Sequence, residues 1–442
     1  MVFGSDCPVN DWLSRWAVQY WILSGRWNYR QKQYAQALGY FERAIRAGSS
    51  SGAIFAHAGY CLAELKRYDE AVEAYQKALQ QSRQYPEIHA HLGRIYSHLQ
   101  RYQEAYDSLH RAFRSKPQLR EHAYWLQILG NVCLELERWE EARASFEKIL
   151  VSKPGTEDVW LGLGIALKNL NRQQEAVDAL RKSVQASPNS AKAWHWLGWT
   201  FAQMGHHSDA IAPLVRVIEL DPANAAACFQ LAESCYELHR FKDALEQFQK
   251  YVALNPDDPA GHYALGITYA EVGEFVSAVQ PIRRALSIGP EYAEVYYKLG
   301  WIYAQLGQKE DAANALRDSL RLEPRDADSY LCLGWALHEP QTLAEAVAAY
   351  ERCLELKPDC PEALANLADA FWLLGRIEEA KEAATRAGKA CSDKPEFHYC
   401  LAELYLKLGM RHEANREREI LTQLDPAGAL KLAKLFDESE NS

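Results

Sequence analysis

Large apolar side chains recur three and four positions apart along almost the whole chain, in stretches such as Trp160-Leu163-Leu167 and Trp194-Leu197-Phe201. That spacing predicts amphipathic helices. The helices come in pairs on a fixed period, because an alanine returns at Ala37, Ala71, Ala105, Ala142, Ala176, Ala210, Ala244, Ala278, Ala312, Ala346, Ala380 and Ala414. Every step is 34 residues except that from Ala105 to Ala142, which is 37 and places a three-residue insertion around 118–121. Twelve residues before each alanine stands Gly25, Gly59, Gly93, Gly130, Gly164, Gly198, Ala232, Gly266, Gly300, Gly334, Ala368 or Ala402, so nothing larger than alanine is admitted there.

These marks divide each unit. A first helix, A, precedes the alanine, and its small residue lets a neighbouring helix approach closely. A second helix, B, starts near the alanine and carries apolar residues four and seven positions further on, as in Phe146 and Ile149 or Phe248 and Tyr251. Gly205, Gly273, Gly307, Gly375 and Gly409 fall between the two, where a left-handed helix stop is needed. A proline follows twelve residues after the alanine in nine units and ends helix B. Pro213 and Pro281 lie inside helix B, where local kinks are expected. The insertion predicts a longer helix or a longer leading loop near 117–123, with the stack continuing through it, since three residues nearly complete a turn.

The order Tyr296, Leu299-Gly300, Tyr303, Ala312, Leu316, Pro324, repeated in register through twelve units, resembles the tetratricopeptide repeat family. The resemblance covers about residues 18–428 and leaves a leader at 1–17 and a capping helix with a frayed tail at 429–442. It implies an all-α, right-handed superhelical α-solenoid of about twelve 34-residue helix-turn-helix repeats, whose A helices line an inner groove. The residues agree, because a single helical pair cannot bury both its faces and must stack on neighbours. The ends depart from the pattern as an array requires. Ser24 replaces the usual leucine in the first unit and Arg418 an apolar residue in the last, and Leu432, Leu435 and Phe436 share one face of the tail with Lys431 and Lys434 opposite.

Composition narrows the function. Lys plus Arg is 49 against 59 for Asp plus Glu, a net charge of -10, which argues against a general duplex-binding surface. No apolar run is long enough to span a bilayer, and the first residues carry Asp6 and Asp11 where a secretory leader would be basic. The ten cysteines form no C-x-x-C pair and no zinc spacing with histidine, and no N-x-S/T sequon occurs, which points to a reducing, cytoplasmic setting. No glycine-rich phosphate loop is present. His89, His91 and His98, the pair His206-His207, and Cys228 with Cys235 fall on packing, surface or turn positions. No catalytic residue, metal ligand or cofactor site is therefore assigned, and a non-enzymatic protein is expected.

Removing the packing positions leaves each A helix a second face, at 15, 11 and 8 residues before the alanine. The resemblance places that face in the groove. In the second half it holds His195, Trp199, Phe229, Tyr236, Tyr263, Tyr297, Trp301, Trp335, Trp372 and Tyr399, with Glu233 and Asp369 among its carboxylates. In the first three units it holds Tyr29, His57, Tyr60 and His98, with Arg26, Arg30 and Arg94 as a second, basic patch. Residues 1–221 carry 26 basic and 23 acidic side chains, and the remainder 23 and 36. Two readings stay open: the aromatics pack between neighbouring A helices, or they anchor a protein or peptide segment with aromatic or apolar side chains and basic residues nearby. The second makes the chain an interaction scaffold. An alternative is a regulatory or substrate-recruiting subunit of an enzyme whose catalytic domain is on another chain, since only 31 residues lie outside the repeats. RNA binding would need a basic inner face, which only the first three units offer. Two recognition devices known in the family are not supported. A carboxylate clamp would need Lys fifteen before the alanine, which no unit has, with Asn eleven before it, where only Asn131 stands, beside Gln127. An asparagine ladder fourteen before it is reduced to Asn366.

Overall fold

The computed structural model describes residues 8–81, 85–152, 155–390 and 394–440. Among these, 25 α-helices and one short 3₁₀ helix occur, and no strand. The chain divides into two units, Met1–Pro222 and Ala223–Ser442. In the first, each A helix packs antiparallel on the B helix that follows: α1 (Pro8–Arg30) on α2 (Tyr34–Arg46), α3 (Gly52–Glu64) on α4 (Tyr68–Gln81), α5 (Pro86–His98) on α6 (Tyr102–Ser115), α7 (Ala123–Glu135) on α8 (Trp139–Ser152), α9 (Glu157–Asn169) on α10 (Gln173–Ala186), and α11 (Ala191–Gln203) on α12 (His207–Leu220). The second unit repeats the scheme with α13 (Ala225–Glu237) on α14 (Phe241–Leu254), α15 (Pro259–Glu271) on α16 (Phe275–Ile288), α17 (Ala293–Gln305) on α18 (Lys309–Leu322), α19 (Ala327–Ala336) on α20 (Leu343–Leu356), α21 (Pro361–Leu373) on α22 (Ile377–Lys389), and α23 (Pro395–Lys407) on α24 (Arg411–Leu424), followed by α25 (Pro426–Glu440). Within each unit every B helix also packs on the next A helix, which makes an all-α solenoid.

The periodic alanine is the hub of each pair, and all twelve are completely buried. The small residue twelve positions earlier receives the side chain four positions after the alanine. A Cβ at Gly300 would lie 2.6 Å from Cγ of Leu316, and one at Gly334 only 2.4 Å from the ring of Tyr350. Close helix approach, and not backbone freedom, is what excludes side chains there. The predicted glycine stops do take left-handed φ, from +71° at Gly307 to +84° at Gly273. Where the sequence has no glycine, Lys32, Lys66, Gln100, Glu137, Asn171 and His239 adopt the same turn at φ 55–61°. Each such residue bears a local cost of about 1 kcal/mol, which the packing of the two flanking helices offsets.

The insertion lies in the leading loop. Pro117–Glu121 forms a 3₁₀ turn pinned by buried Leu119, and α6 and α7 keep the 14 and 13 residues of their counterparts. α12 and α16 run through Pro213 and Pro281 without interruption. Helix α1 begins at Pro8, upstream of residue 18. At the other end α25 buries Leu432 and sets Phe436 under the guanidinium of Arg418, 4.7 Å from the ring centre. A cation replaces the usual apolar residue there because its partner is an aromatic face. Lys431 and Lys434 are exposed, whereas the side chain of Leu435 lies outside the described residues.

Candidate functional site

The residues 15, 11 and 8 before each alanine all lie on A helices, so successive helices present the same positions side by side. The second unit gathers them in two groups. In the first, Phe229 turns inward, edge-on to Phe248 and against Tyr251 at 4.8 Å between ring centres. Tyr236 leans on Phe241 and reaches Glu271 at 3.4 Å, and Tyr263 donates to Glu294 at 2.8 Å. Burial, and then the Glu294 carboxylate, push the Tyr263 phenol up, so it stays a donor. Glu233 lies beside Glu237, and burial with this second carboxylate raises its carboxyl above the usual range. This group is mostly satisfied within the fold.

The second group is more open. Trp301, Trp335 and Asp369 hold the same register position on α17, α19 and α21. Trp301 packs its edge on Phe275, and burial first, with Cys332 after it, pushes the phenol of the half-buried Tyr297 up. Trp335 is 42% exposed. Lys309 lies 5.9 Å from its ring centre while pairing with Glu339 at 3.0 Å. Asp369 takes His338 at 3.2 Å and Lys407 at 3.5 Å, and Lys407 also covers the ring of Trp372 at 4.9 Å. The His338 hydrogen bond first, and then Lys407, hold the Asp369 carboxyl below its ordinary value. An open indole is thereby framed by charges that are already paired. Tyr399 stands apart, packed with Ala402, Leu421 and Leu432 beneath the cap.

His195 and Trp199 belong to the first unit. His195 is half-buried, which lowers its imidazole, and Trp199 is covered by Lys168, whose ammonium is 3.6 Å from the ring centre. Desolvation in that position lowers the Lys168 ammonium. Of the basic patch, Arg26 and Arg30 are exposed on α1, whereas Arg94 is engaged with Glu64 at 2.8 Å and lies over Tyr60. Arg94 also lines a cavity of about 290 Å³ with Ser97, His98, Tyr124, Gln127, Ile128 and Asn131. His91 is enclosed between Tyr75, stacked at 6.0 Å, and the edges of Tyr60 and Trp125. Burial pushes its imidazole down to about 4.

Sequence reasoning passed over the cations Lys168, Lys309 and Lys407, although Lys168 and Lys407 lie eight and seven residues before a repeat alanine, on or beside the same face. It also passed over α1, where Trp16, Tyr20, Leu23 and Trp27 are each more than half exposed. Their spacing of four, three and four residues was the available signal, hidden because the stripe begins before the first repeat. Among the described residues no group of three or more His, Cys, Asp or Glu could hold a metal, and no helix is long and apolar enough to cross a membrane.

A family model described as tetratricopeptide repeat matches residues 25–87, 129–191, 229–293 and 297–359, more than half of the chain. A second with the same description matches 62–132 and 337–404, and one for anaphase-promoting complex, cyclosome, subunit 3 matches 169–251. Similar solved structures include the MamA protein, 25% identical over 38% of this chain and 92% of that one, with a TM-score of 0.37. MamA from Desulfovibrio magneticus RS-1 is 19% identical, covering 38% and 95%, at 0.37, and the Cut9-Hcn1 hetero-tetramer of the APC/C is 16% identical, covering 94% and 96%, at 0.43. No curated protein matches in sequence.

Proposed function

The chain belongs to the tetratricopeptide repeat family, and from that premise we propose that it is a non-enzymatic scaffold that holds a protein segment on the A-helix face of its second unit. Its helix pairs are read as twelve repeats over residues 18–428, and its setting as cytoplasmic. The observation that carries the site is Trp335: a large indole left 42% exposed between Trp301 and Trp372 on neighbouring helices, in a surround of paired charges. Covering such a ring with an apolar side chain removes it from water, and truncating a central Trp anchor typically costs about 2 kcal/mol or more. The surrounding carboxylates and the acidic balance of residues 223–442, 23 basic against 36 acidic, favour a partner with Lys or Arg beside its anchor.

The test is quantitative capture from extract by the full chain and by Trp335→Ala, followed by titration of the recovered partner. A loss of roughly 30-fold in affinity at unchanged melting temperature supports the site. Equal affinity, or a loss of affinity that tracks a loss of melting temperature, refutes it.

A further inference from the structure

Within each unit an A helix is laid against the B helix that precedes it, and three contacts fix the register. A Cβ at Gly162, fourteen residues before its alanine, would lie 2.4 Å from the Phe146 ring of α8, and one at Gly261, seventeen before its own, 2.4 Å from the Tyr251 ring of α14. Ser329, also seventeen before, meets Ser319 of α18 at 3.2 Å. The position ten before the alanine is two turns further along the same side, and the residue there is buried in every later unit, from Cys61 to Leu404.

Helix α1 has no such cover. It packs on α2 and α3, and no helix precedes it among the described residues. Tyr20, Leu23 and Trp27 stand seventeen, fourteen and ten residues before Ala37, and Trp16 extends the same side by one turn. These four are 53, 62, 64 and 63% exposed respectively. A terminal repeat that faces water carries a polar outer face, yet this one presents two indoles, a phenol ring and a leucine. The other end of the array is finished differently, since α25 packs on α23 and α24 and buries Leu432.

The stripe reads the same from either end: steps of four, three and four residues, with Trp at both ends and Tyr and Leu between. That interval is the seam of a helix pair, whose mean period of 3.5 residues keeps one side of each helix on the other. Laid antiparallel on itself, the stripe sets Trp16 against Trp27 and Tyr20 against Leu23 of a second copy. A twofold contact requires this self-complementarity, because where i meets j, j also meets i. An aromatic side chain offers roughly 150–250 Å², so the stripe supplies about 400 Å² per copy and about 800 Å² for the pair. The exposed Gln19, Arg26 and Arg30 along one flank bring the total to about 1,000 Å², the lower end of specific interfaces and the range of a reversible dimer.

We propose that the α1 stripe is the interface of a homodimer, in which two α1 helices pack antiparallel about a twofold axis between residues 21 and 22. The contact does not involve the Trp335 face, and a dimer carries that face twice.

Sedimentation equilibrium of the purified full chain, from about 1 to about 100 μM, should show reversible dimerisation. Trp27→Ser should weaken it roughly 30-fold or more, and Leu23→Ser should weaken it as well. Both side chains stand mostly in water in the single chain, so helical circular dichroism should not change. Orientation is read by mixing Trp16→Cys chains with Trp27→Cys chains under mild oxidation. An antiparallel pair brings the two new thiols together and keeps Trp on Trp at its other end, so linked pairs of unlike chains should exceed those of like chains. Raising salt from about 0.05 to about 0.5 M should not weaken the dimer, because an apolar seam is not screened. A chain that stays monomeric throughout, which leaves the stripe to another kind of partner, would overturn the proposal. So would a dimer untouched by Trp27→Ser, cross-linking that favours like chains, or a dimer that dissociates in salt and is therefore held by charge.

Discussion

Gly334→Ala adds one methyl group to α19, and the outcome can be worked from geometry. The new Cβ would lie 2.4, 2.6 and 2.9 Å from three carbons of the Tyr350 ring, which is itself completely buried and has nowhere to turn. Overpacking of this kind costs about 1–3 kcal/mol, against a gain of about 1 kcal/mol in helix propensity, so a net loss of about 1–2 kcal/mol is expected. Gly39→Ala is the control. Nothing lies within 4 Å of a Cβ at Gly39, in the middle of α2, so there the gain of about 0.5–1 kcal/mol should appear alone. The same substitution therefore has opposite signs at two helical glycines. A double-mutant cycle isolates the cause: with Tyr350→Ala in place the clash is gone, and Gly334→Ala should become stabilising by about 1 kcal/mol. The chain has a precedent for that arrangement, since Ala368 and Ala384 stand at the same two positions on α21 and α22 and are both fully buried. Urea midpoints, with hydrogen exchange in α19 and α20, measure all four variants. If Gly334→Ala raised the midpoint as Gly39→Ala does, and showed no coupling to Tyr350→Ala, close packing at the small residue would not be what holds the repeat together.

His91→Phe should flatten the acid side of the stability profile. The folded imidazole titrates at about 4 against an ordinary 6.5, so its neutral form contributes fully above pH 6.5 and the contribution is lost as pH falls toward 4, up to roughly 3 kcal/mol. Parallel urea midpoints for the two chains at pH 7 and pH 4.5 would contradict this. The depressed Asp369 carboxyl has the linkage seen for a paired acid: its stabilisation is present above about pH 4 and disappears as pH falls through the folded value. The stability difference between Asp369→Asn and the unaltered chain, about 1 kcal/mol or less at neutral pH, should thus shrink steadily as pH falls below 4, and urea midpoints that kept a constant gap would contradict this. Residues 1–222 expressed alone should retain helical circular dichroism in proportion to length, because each repeat packs only on its neighbours, and complete loss of helicity would refute it.

Much of this protein was legible from period alone. Thirty-four residues is the length of two antiparallel helices with their turns, and the alanine, the small residue before it and the apolar residue after it are local demands of helix approach that every unit must meet by itself. The sequence therefore determined the helices, their pairing and the burial of all twelve alanines without reference to anything distant. The left-handed turns at Lys66 or His239 were not legible, since a turn imposed by packing on both sides leaves no glycine to mark it.

The candidate face was readable only in part. Register placed Trp301, Trp335 and Asp369 on one side of successive A helices, but exposure is set between helices and not along them. Phe229 and Trp335 were both assigned to this face, yet Phe229, fifteen before its alanine, packs against Phe248 and Tyr251, whereas Trp335, eleven before its own, stands open. Likewise Lys168 and Lys407 looked like solvated charges and prove to cover Trp199 and Trp372, a contact between residues 31 and 35 positions apart. Spacing along a helix is a one-dimensional property and was decided by the sequence, whereas which side chain covers which depends on volumes meeting across a junction, and that belongs to the tertiary structure alone.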